Sequence, residues 1–91
     1  MVFEFDKAKS QSNSIKHGID FIQAQRLWKD PVRVIIPARS IDEPRFVIIA
    51  RLGDEIWSAI YTFRGEVVRI ISVRRSRQNE TSIYKSIHQT R

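Results

Sequence analysis

A histidine and a lysine stand side by side near the N-terminus, in the segment Lys16-His17-Gly18. Histidine changes its charge near physiological pH, so His17 could serve as a general base or acid, and Lys16 would add positive charge for a phosphate. The structural alternative is that His17 ends a helix and interacts favourably with the partial negative charge there. On the residues alone, proton transfer and helix termination both stay open.

Arginine dominates the C-terminal third of the chain. Residues 64–91 hold seven basic and two acidic residues, and therefore most of the net charge of +6. All but one of the seven are arginine, which grips phosphate or carboxylate with two parallel hydrogen bonds. This placement favours a polyanionic partner, either a nucleic acid or an acidic protein surface. A charged face that only keeps the protein in solution is the simpler alternative.

Several of these arginines lie in a predicted β-hairpin. Residues 59–63 and 67–74 are rich in β-branched side chains and flank Arg64-Gly65-Glu66, a turn signal with glycine at its centre. The second strand alternates isoleucine and valine with arginine, so we expect one face against a core and the other against water or an anion. We interpret the hairpin as the floor of an RNA site.

The arginines of the predicted strands do not all share one face of a regular sheet. Arg45 and Arg51 lie an even number of positions apart and point to the same side. Arg69 and Arg74 are five positions apart and point to opposite sides, unless a β-bulge re-aims one of them. For any single arginine, a solvated sheet face is as consistent with the sequence as a phosphate contact.

The elements that position these residues predict one α+β domain over residues 1–91. Asp6 and Asp20 are candidate N-caps of two N-terminal helices, Gly18 ends the first, and Ser76 is the candidate N-cap of one C-terminal helix. The predicted elements are strand 2–5, helices 7–17 and 20–28, strands 32–38, 45–52, 55–63 and 67–74, and a helix from 76 to about 88. Short turns between consecutive strands predict an antiparallel sheet meander covered by the helices.

The last predicted helix carries Glu80 and Tyr84 on neighbouring turns. We expect Glu80 to pair with an arginine of the hairpin, and Tyr84 to anchor the helix to the sheet through its ring. Both are structural roles. On the second helix, Phe21, Ala24 and Leu27 have the spacing of a face that packs on a core.

Composition narrows the class of protein further. The chain has no cysteine, which excludes a thiolate metal site and a cysteine nucleophile and favours a reducing, cytoplasmic location. His17 and His88 are far apart, the acidic residues do not cluster as in two-metal nucleases, and the glycines serve turns, so no metal or cofactor is predicted. Neither a signal peptide nor a membrane segment is expected, because charges interrupt the N-terminus and the apolar runs are short.

The same residues resemble a known family of toxins, BrnT. Two blocks are specific: Asn13-x-x-Lys16-His17-Gly18, and Arg69-Ile70-Ile71-Ser72-x-Arg74 followed by Glu80 and Tyr84. The likeness spans nearly the whole chain, with departures at Phe5 (usually Trp), Ala50 (usually Gly), Val73 (usually Ala) and Pro44 (often acidic). The resemblance implies a RelE-like α+β fold, a ribonuclease toxin of a type II toxin–antitoxin system, and a BrnA-like DNA-binding antitoxin as partner.

On this basis we expect a metal-independent RNA endonuclease that inhibits translation. Such an enzyme activates a ribose 2′-hydroxyl against the adjacent phosphate, which requires a proton-transfer group and cations for the developing charge. We expect His17 to transfer the proton. The predicted catalytic cations are Lys16, Arg45, Arg69 and Arg74; the predicted RNA contacts are Arg64, Arg75 and Arg77; Glu80 and Tyr84 support the site. The alternative is a non-catalytic module that binds nucleic acid or docks a protein.

Overall fold

The computed structural model describes residues 1–89. In chain order it contains β1 (Phe3–Glu4), α1 (Lys7–His17), α2 (Phe21–Ala24), a 3₁₀ helix (Gln25–Lys29), β2 (Val34–Ala38), β3 (Arg45–Leu52), β4 (Glu55–Arg64), β5 (Val67–Arg75) and α3 (Gln78–Gln89). The predicted α+β class is confirmed. None of the described helices is long and apolar enough to cross a lipid bilayer.

Helix α1 begins and ends at the residues that the sequence predicts. The carboxylate of Asp6 accepts a hydrogen bond from the N–H of Lys9 at 3.0 Å. Gly18 ends the helix in the left-handed conformation, with φ of 75°, where a side chain would be strained. The buried residues of α1 are polar, Ser10 and Asn13. This helix lacks a wide apolar face, and buried hydrogen bonds of Ser10 and Asn13 attach it to the rest of the fold.

The second predicted helix is shorter than expected. Asp20 and Gln23 form a capping box, in which the Asp20 carboxylate accepts from the Gln23 N–H at 2.7 Å. Only residues 21–24 are α-helical, and residues 25–29 continue as a 3₁₀ helix. Pro31 pushes the residue before it out of helical conformation, so the helical segment ends in the tighter 3₁₀ turns. The expected core residues Phe21, Ala24 and Leu27 are buried all the same.

The sheet has the strand order β1-β5-β4-β3-β2. The strands β2 to β5 form the predicted antiparallel meander. The prediction of an antiparallel sheet is wrong for β1, which pairs parallel to β5 through Phe3–Val68 and Glu4–Arg69. No short turn joins these two strands, so local sequence does not set their relative direction. The sheet is therefore mixed, and β2 with Pro37 lies at its edge as predicted.

A β-bulge in β5 decides which way the arginines point. Two-residue turns at Gly53 and Gly65 set the register of the hairpins, with φ of 64° and 59°. Ile60 pairs with Ser72 but the next residue, Tyr61, pairs with Ile70. The extra residue in β5 shifts the alternation of its side chains between the two faces by one position. Arg69 and Arg74, which lie on the two sides of the bulge, therefore point to the same face.

The two faces of the sheet carry separate apolar clusters. The first lies under α1, α2 and the 3₁₀ helix and contains Leu27, Ile48, Tyr61 and Val73 among others. The second lies under α3 and contains Val34, Val47, Ile49, Ile56 and Tyr84. We call these the first face and the second face of the sheet. Helix α3 packs on only part of the second face, and Arg45 and Arg69 lie on the remainder.

Candidate functional site

Four polar residues form a row across the second face, one from each of four neighbouring strands. Glu4 pairs with Arg69, and Arg69 pairs with Thr62 across β5 and β4. The pairing of Phe46 with Tyr61 brings Arg45 of β3 next to Thr62. We call Glu4, Arg69, Thr62 and Arg45 the polar row. With neighbouring strands about 4.8 Å apart, the row is about 14 Å long.

The polar row holds two accessible guanidinium groups. Arg69 Nη1 lies 2.7 Å from Glu4 Oε2, and the two side chains are 28% and 38% exposed. Arg64, at the hairpin end, places its Nε 4.0 Å from the same oxygen. Arg45 Nε lies 3.4 Å from Glu43 Oε2. Because Arg64 and Arg69 share one carboxylate, positive charge is in excess at this end of the face.

Thr62 links the row to the loop that precedes Arg45. Its hydroxyl donates to the carbonyl oxygen of Pro44 at 2.6 Å. The side chain is buried between the two arginine-bearing strands. Pro44 is one of the positions at which the sequence differs from the family that it resembles. The hydrogen bond involves only the backbone carbonyl of Pro44. The loop before Arg45 is therefore attached to β4 independently of that departure.

Arg74 lies on the same face but is engaged within the fold. Both its terminal nitrogens bind Glu80, at 2.7 and 2.9 Å. The same carboxylate accepts from the Ser58 hydroxyl at 3.0 Å and from the Arg77 N–H at 2.8 Å. The bond from Arg74, helped by those from Arg77 and Ser58, lowers the pKa of Glu80 from 4.5 to about 2. The expected pairing of Glu80 with a hairpin arginine is thus present, and its partner is Arg74.

Tyr84 anchors α3 to the sheet, as its spacing from Glu80 predicts. Its hydroxyl donates to Asp30 Oδ2 at 2.6 Å, and the backbone N–H of Arg51 donates to the same oxygen at 2.8 Å. The ring is buried, with the Arg51 guanidinium 5.9 Å from its centre. Burial, followed by the hydrogen bond to Asp30, raises the pKa of Tyr84 to about 12. Tyr84 is a neutral hydrogen-bond donor at physiological pH.

Two further arginines near the C-terminus, Arg75 and Arg77, lie away from the polar row. Arg75 is on the first face, where it forms an ion pair with Glu55 and lies 5.6 Å from the centre of the Trp57 ring. Arg77 is exposed immediately before α3.

The prediction that Ser76 is the N-cap of the last helix is wrong. Helix α3 begins at residue 78, and the Ser76 hydroxyl bonds to that of Ser58 at 2.7 Å.

Lys16 and His17 are exposed on the last turn of α1. This helix runs along β5: its N-cap, Asp6, follows the strand residue Glu4 that pairs with Arg69, and Asn13 bonds both backbone groups of Val73. His17 is one turn further along the helix, about 6 Å, and Arg69 is four residues back along β5, about 13 Å. His17 therefore lies beyond the end of β5 opposite to Arg69 and on the first face of the sheet, whereas Arg69 points to the second face.

Two members of the polar row escaped the sequence-based prediction of the site. Glu4 reads as one polar position in a short strand, and its partner Arg69 is 65 positions away. Thr62 reads as an ordinary strand residue. Only the pairing of β1 with β5 and the bulge could have indicated them. In the described part of the chain, no three or more histidine, cysteine, aspartate or glutamate residues are grouped to hold a metal ion.

Comparison with known proteins agrees with the resemblance in the sequence. A family model described as "Ribonuclease toxin, BrnT, of type II toxin-antitoxin system" matches residues 5–80. No curated protein matches the chain significantly. The match covers most of the chain, including three of the four strands of the polar row, the last turn of α1 and Glu80. The chain therefore belongs to the BrnT family of ribonuclease toxins of type II toxin–antitoxin systems.

Proposed function

We propose that this protein is a metal-independent endoribonuclease that cleaves RNA at the polar row. One observation carries the proposal: the bulge in β5 brings Arg69 onto the same face as Arg45, with only Thr62 between them. The backbones of the two arginines are about 10 Å apart, because β4 lies between their strands. Their long side chains can converge on one phosphate. The RelE-like fold implied by the resemblance is supported by the antiparallel meander of β2 to β5.

The cations of the row fit the charge that develops in such a reaction. Attack of a ribose 2′-oxygen on the adjacent phosphorus adds negative charge to the phosphoryl oxygens, and preorganised cations stabilise that charge. Arg45 and Arg69 would contact these oxygens, and Arg64 would bind a neighbouring phosphate. A groove lined by residues 37, 38 and 40–46 opens beside Arg45 and offers apolar surface to a base. Arg74 would act indirectly, because both its terminal nitrogens are already bonded to Glu80.

Proton transfer by His17 stays a prediction, and it implies a different cleavage site from the polar row. His17 and Arg69 lie at opposite ends of β5 and on opposite faces of the sheet, so they would not act on one phosphate. If His17 transfers the proton, the cleaved phosphate lies at the other end of β5, near Arg75. If the row cleaves, Lys16 and His17 bind a different part of the RNA strand. The variants His17→Ala and Arg69→Ala distinguish the two positions, since the cleavage site is the one whose loss lowers kcat more.

The direct test is cleavage of a labelled RNA by the purified protein in EDTA. We expect products with 2′,3′-cyclic phosphate and 5′-hydroxyl ends, since the 2′-oxygen is the nucleophile. Arg69→Ala should abolish most of the cleavage. Arg26→Ala is the matched control, because Arg26 is an exposed arginine of the 3₁₀ helix on the first face. Binding of RNA without cleavage by the wild-type protein would support a non-catalytic binding module instead.

Membership of the family implies an antitoxin partner, and we propose that it is a BrnA-like DNA-binding protein. The excess positive charge around Arg64 and Arg69 supports a partner that lays acidic side chains over residues 64–77 and competes with RNA. Electrostatic attraction of this kind speeds association, and the rate should fall as salt rises. The alternative is steric blocking from another surface, such as the polar helix α1.

A competition experiment decides between these two modes of silencing. The antitoxin is titrated into toxin that is bound to a non-cleavable RNA. Displacement of the RNA supports coverage of the basic residues. A ternary complex in which the RNA stays bound would show that silencing works through a different surface.

A further inference from the structure

The polar row contains one carboxylate, that of Glu4, and described residues contact one of its two oxygens. Glu4 Oε2 lies 2.7 Å from Arg69 Nη1 and 4.0 Å from Arg64 Nε. Glu4 Oε1 accepts no hydrogen bond from the residues that the structure describes. The side chain is 38% exposed, so a ligand on the row can reach it. Glu4 precedes the residues that the family model matches.

We infer that Glu4 is the general base of the cleavage reaction, an assignment that rests on the proposed endoribonuclease function. The ion pair with Arg69 holds the carboxylate on a strand beside the cation that would bind the phosphate. A positioned base next to the phosphate site is what activation of a 2′-hydroxyl requires. General bases on strands are positioned more precisely than those on loops.

The reaction balances with this single carboxylate and water. Glu4 Oε1 accepts the proton of the ribose 2′-hydroxyl while the 2′-oxygen forms a bond to phosphorus. The bond between phosphorus and the 5′-oxygen then breaks, and the leaving oxygen takes a proton from water. The hydroxide that results removes the proton from Glu4 and restores the carboxylate. The products are a 2′,3′-cyclic phosphate and a 5′-hydroxyl.

The other candidates for the base fit the row less well. Both oxygens of Glu80 are bonded to Arg74, and its side chain is 9% exposed. Glu43 lies in the loop before β3, and its carboxylate contacts the Arg45 side chain at 3.4 Å. His17 lies at the other end of β5, on the first face of the sheet. Glu4 and Glu43 are both partly exposed and both contact a row arginine, but Glu4 lies on a strand and its contact is shorter, 2.7 Å against 3.4 Å.

The test compares Glu4→Gln with Glu55→Gln, which alters a matched glutamate–arginine pair on the first face. Cleavage of labelled RNA in EDTA gives kcat and KM across a range of pH, and a non-cleavable 2′-O-methyl RNA gives affinity. We expect Glu4→Gln to lower kcat by about 10²–10⁴-fold and to lose the acidic limb of the pH profile. Binding of the non-cleavable RNA should stay equal or tighten, because a negative charge is removed. Glu55→Gln should behave like the wild type.

Two further measurements separate catalysis from support of the fold. The melting temperature of Glu4→Gln should lie within a few degrees of that of the wild type, because the Glu4–Arg69 pair is partly exposed and such pairs contribute little to stability. Glu4→Asp should keep the acidic limb with a reduced kcat, since the shorter carboxylate is still a base.

Each contrary outcome has a distinct meaning. Wild-type kcat in Glu4→Gln, with cleavage by the wild-type protein intact, overturns the assignment and leaves the proposed function standing. A lowered kcat with the acidic limb retained shows that Glu4 only positions Arg69, and also overturns it. If the wild-type protein does not cleave RNA, the proposed function fails and the assignment fails with it.

Discussion

The two ends of the second face carry the same pair of residue types with opposite consequences. At the open end, Arg69 makes one close contact with Glu4, and the side chains are 28% and 38% exposed. At the end under α3, Arg74 makes two contacts with Glu80, and the side chains are 20% and 9% exposed. Both arginines come from β5 and share a face only because of the bulge. Coverage by α3 therefore determines whether an arginine is committed to the fold or accessible to an anion.

The difference is also energetic. An exposed ion pair contributes about 0–1 kcal/mol, because solvent screens it and the side chains lose entropy. Removing one partner of a buried, hydrogen-bonded pair costs about 3–5 kcal/mol, because a charge is left unpaired. The Arg74–Glu80 pair, with Ser58 and the Arg77 N–H, is of the second kind. We therefore expect opposite phenotypes from substitutions at the two ends.

The largest expected effect separates activity from stability. Arg69→Ala should lower cleavage by about 10²–10³-fold through the loss of a transition-state contact. Its free energy of unfolding should change by no more than about 1 kcal/mol. Arg74→Ala should be destabilised by about 3–5 kcal/mol, because Glu80 is left buried and unpaired. RNA cleavage in EDTA and denaturant titration measure the two quantities. Equal destabilisation by both variants would contradict the comparison.

Glu80→Gln should destabilise the fold by about 3 kcal/mol. The physical reason is the lowering of the Glu80 pKa from 4.5 to about 2, since each pKa unit corresponds to about 1.4 kcal/mol. Glu55→Gln is the control, because it removes a more exposed partner of an arginine, Arg75. Denaturant titration at neutral pH provides the comparison. If Glu80→Gln loses no more free energy of unfolding than the control does, the buried network does not stabilise the fold.

The same network predicts the acid sensitivity of the protein. The unfolded chain binds a proton at Glu80 more tightly than the folded protein does, since the folded pKa is about 2 and the ordinary value is 4.5. The stabilisation from Glu80 is therefore complete above about pH 5 and is lost as the pH falls towards 2. In Glu80→Gln this part of the pH dependence should be missing. Free energies of unfolding at several values between neutral and acidic pH, for both proteins, test the prediction.

The smallest expected effect concerns Arg77, which lies between Arg74 and Glu80 in the sequence and has an exposed side chain. For single-stranded RNA, each phosphate contact contributes about 0.7 to the slope of log affinity against log salt. Arg77→Ala should lower the slope by that amount if Arg77 binds a phosphate, and Arg74→Ala should leave it unchanged. Titrations of a non-cleavable RNA at several salt concentrations give the slopes. An unchanged slope in Arg77→Ala would remove this residue from the RNA site.

Much of the local structure could be predicted because it depends on neighbours a few residues away. Asp6 and Gly18 bound α1, and the glycines at 53 and 65 form the turns of consecutive hairpins. The pairing of Glu80 with a hairpin arginine also follows from residue type and spacing. The end of α2 was harder to predict, because its conversion to a 3₁₀ helix depends on how the chain turns before Pro31.

The sequence by itself determined the family, the order of the elements and the concentration of arginine near the C-terminus. Only the tertiary structure decided which arginines share a site. Pairing of β1 with β5 brings Glu4 to Arg69, and the bulge turns Arg69 and Arg74 to the same face. Coverage by α3 then leaves one arginine accessible and engages the other with Glu80. The physical reason is that strand register and coverage arise from contacts between distant segments, which local alternation and spacing do not encode.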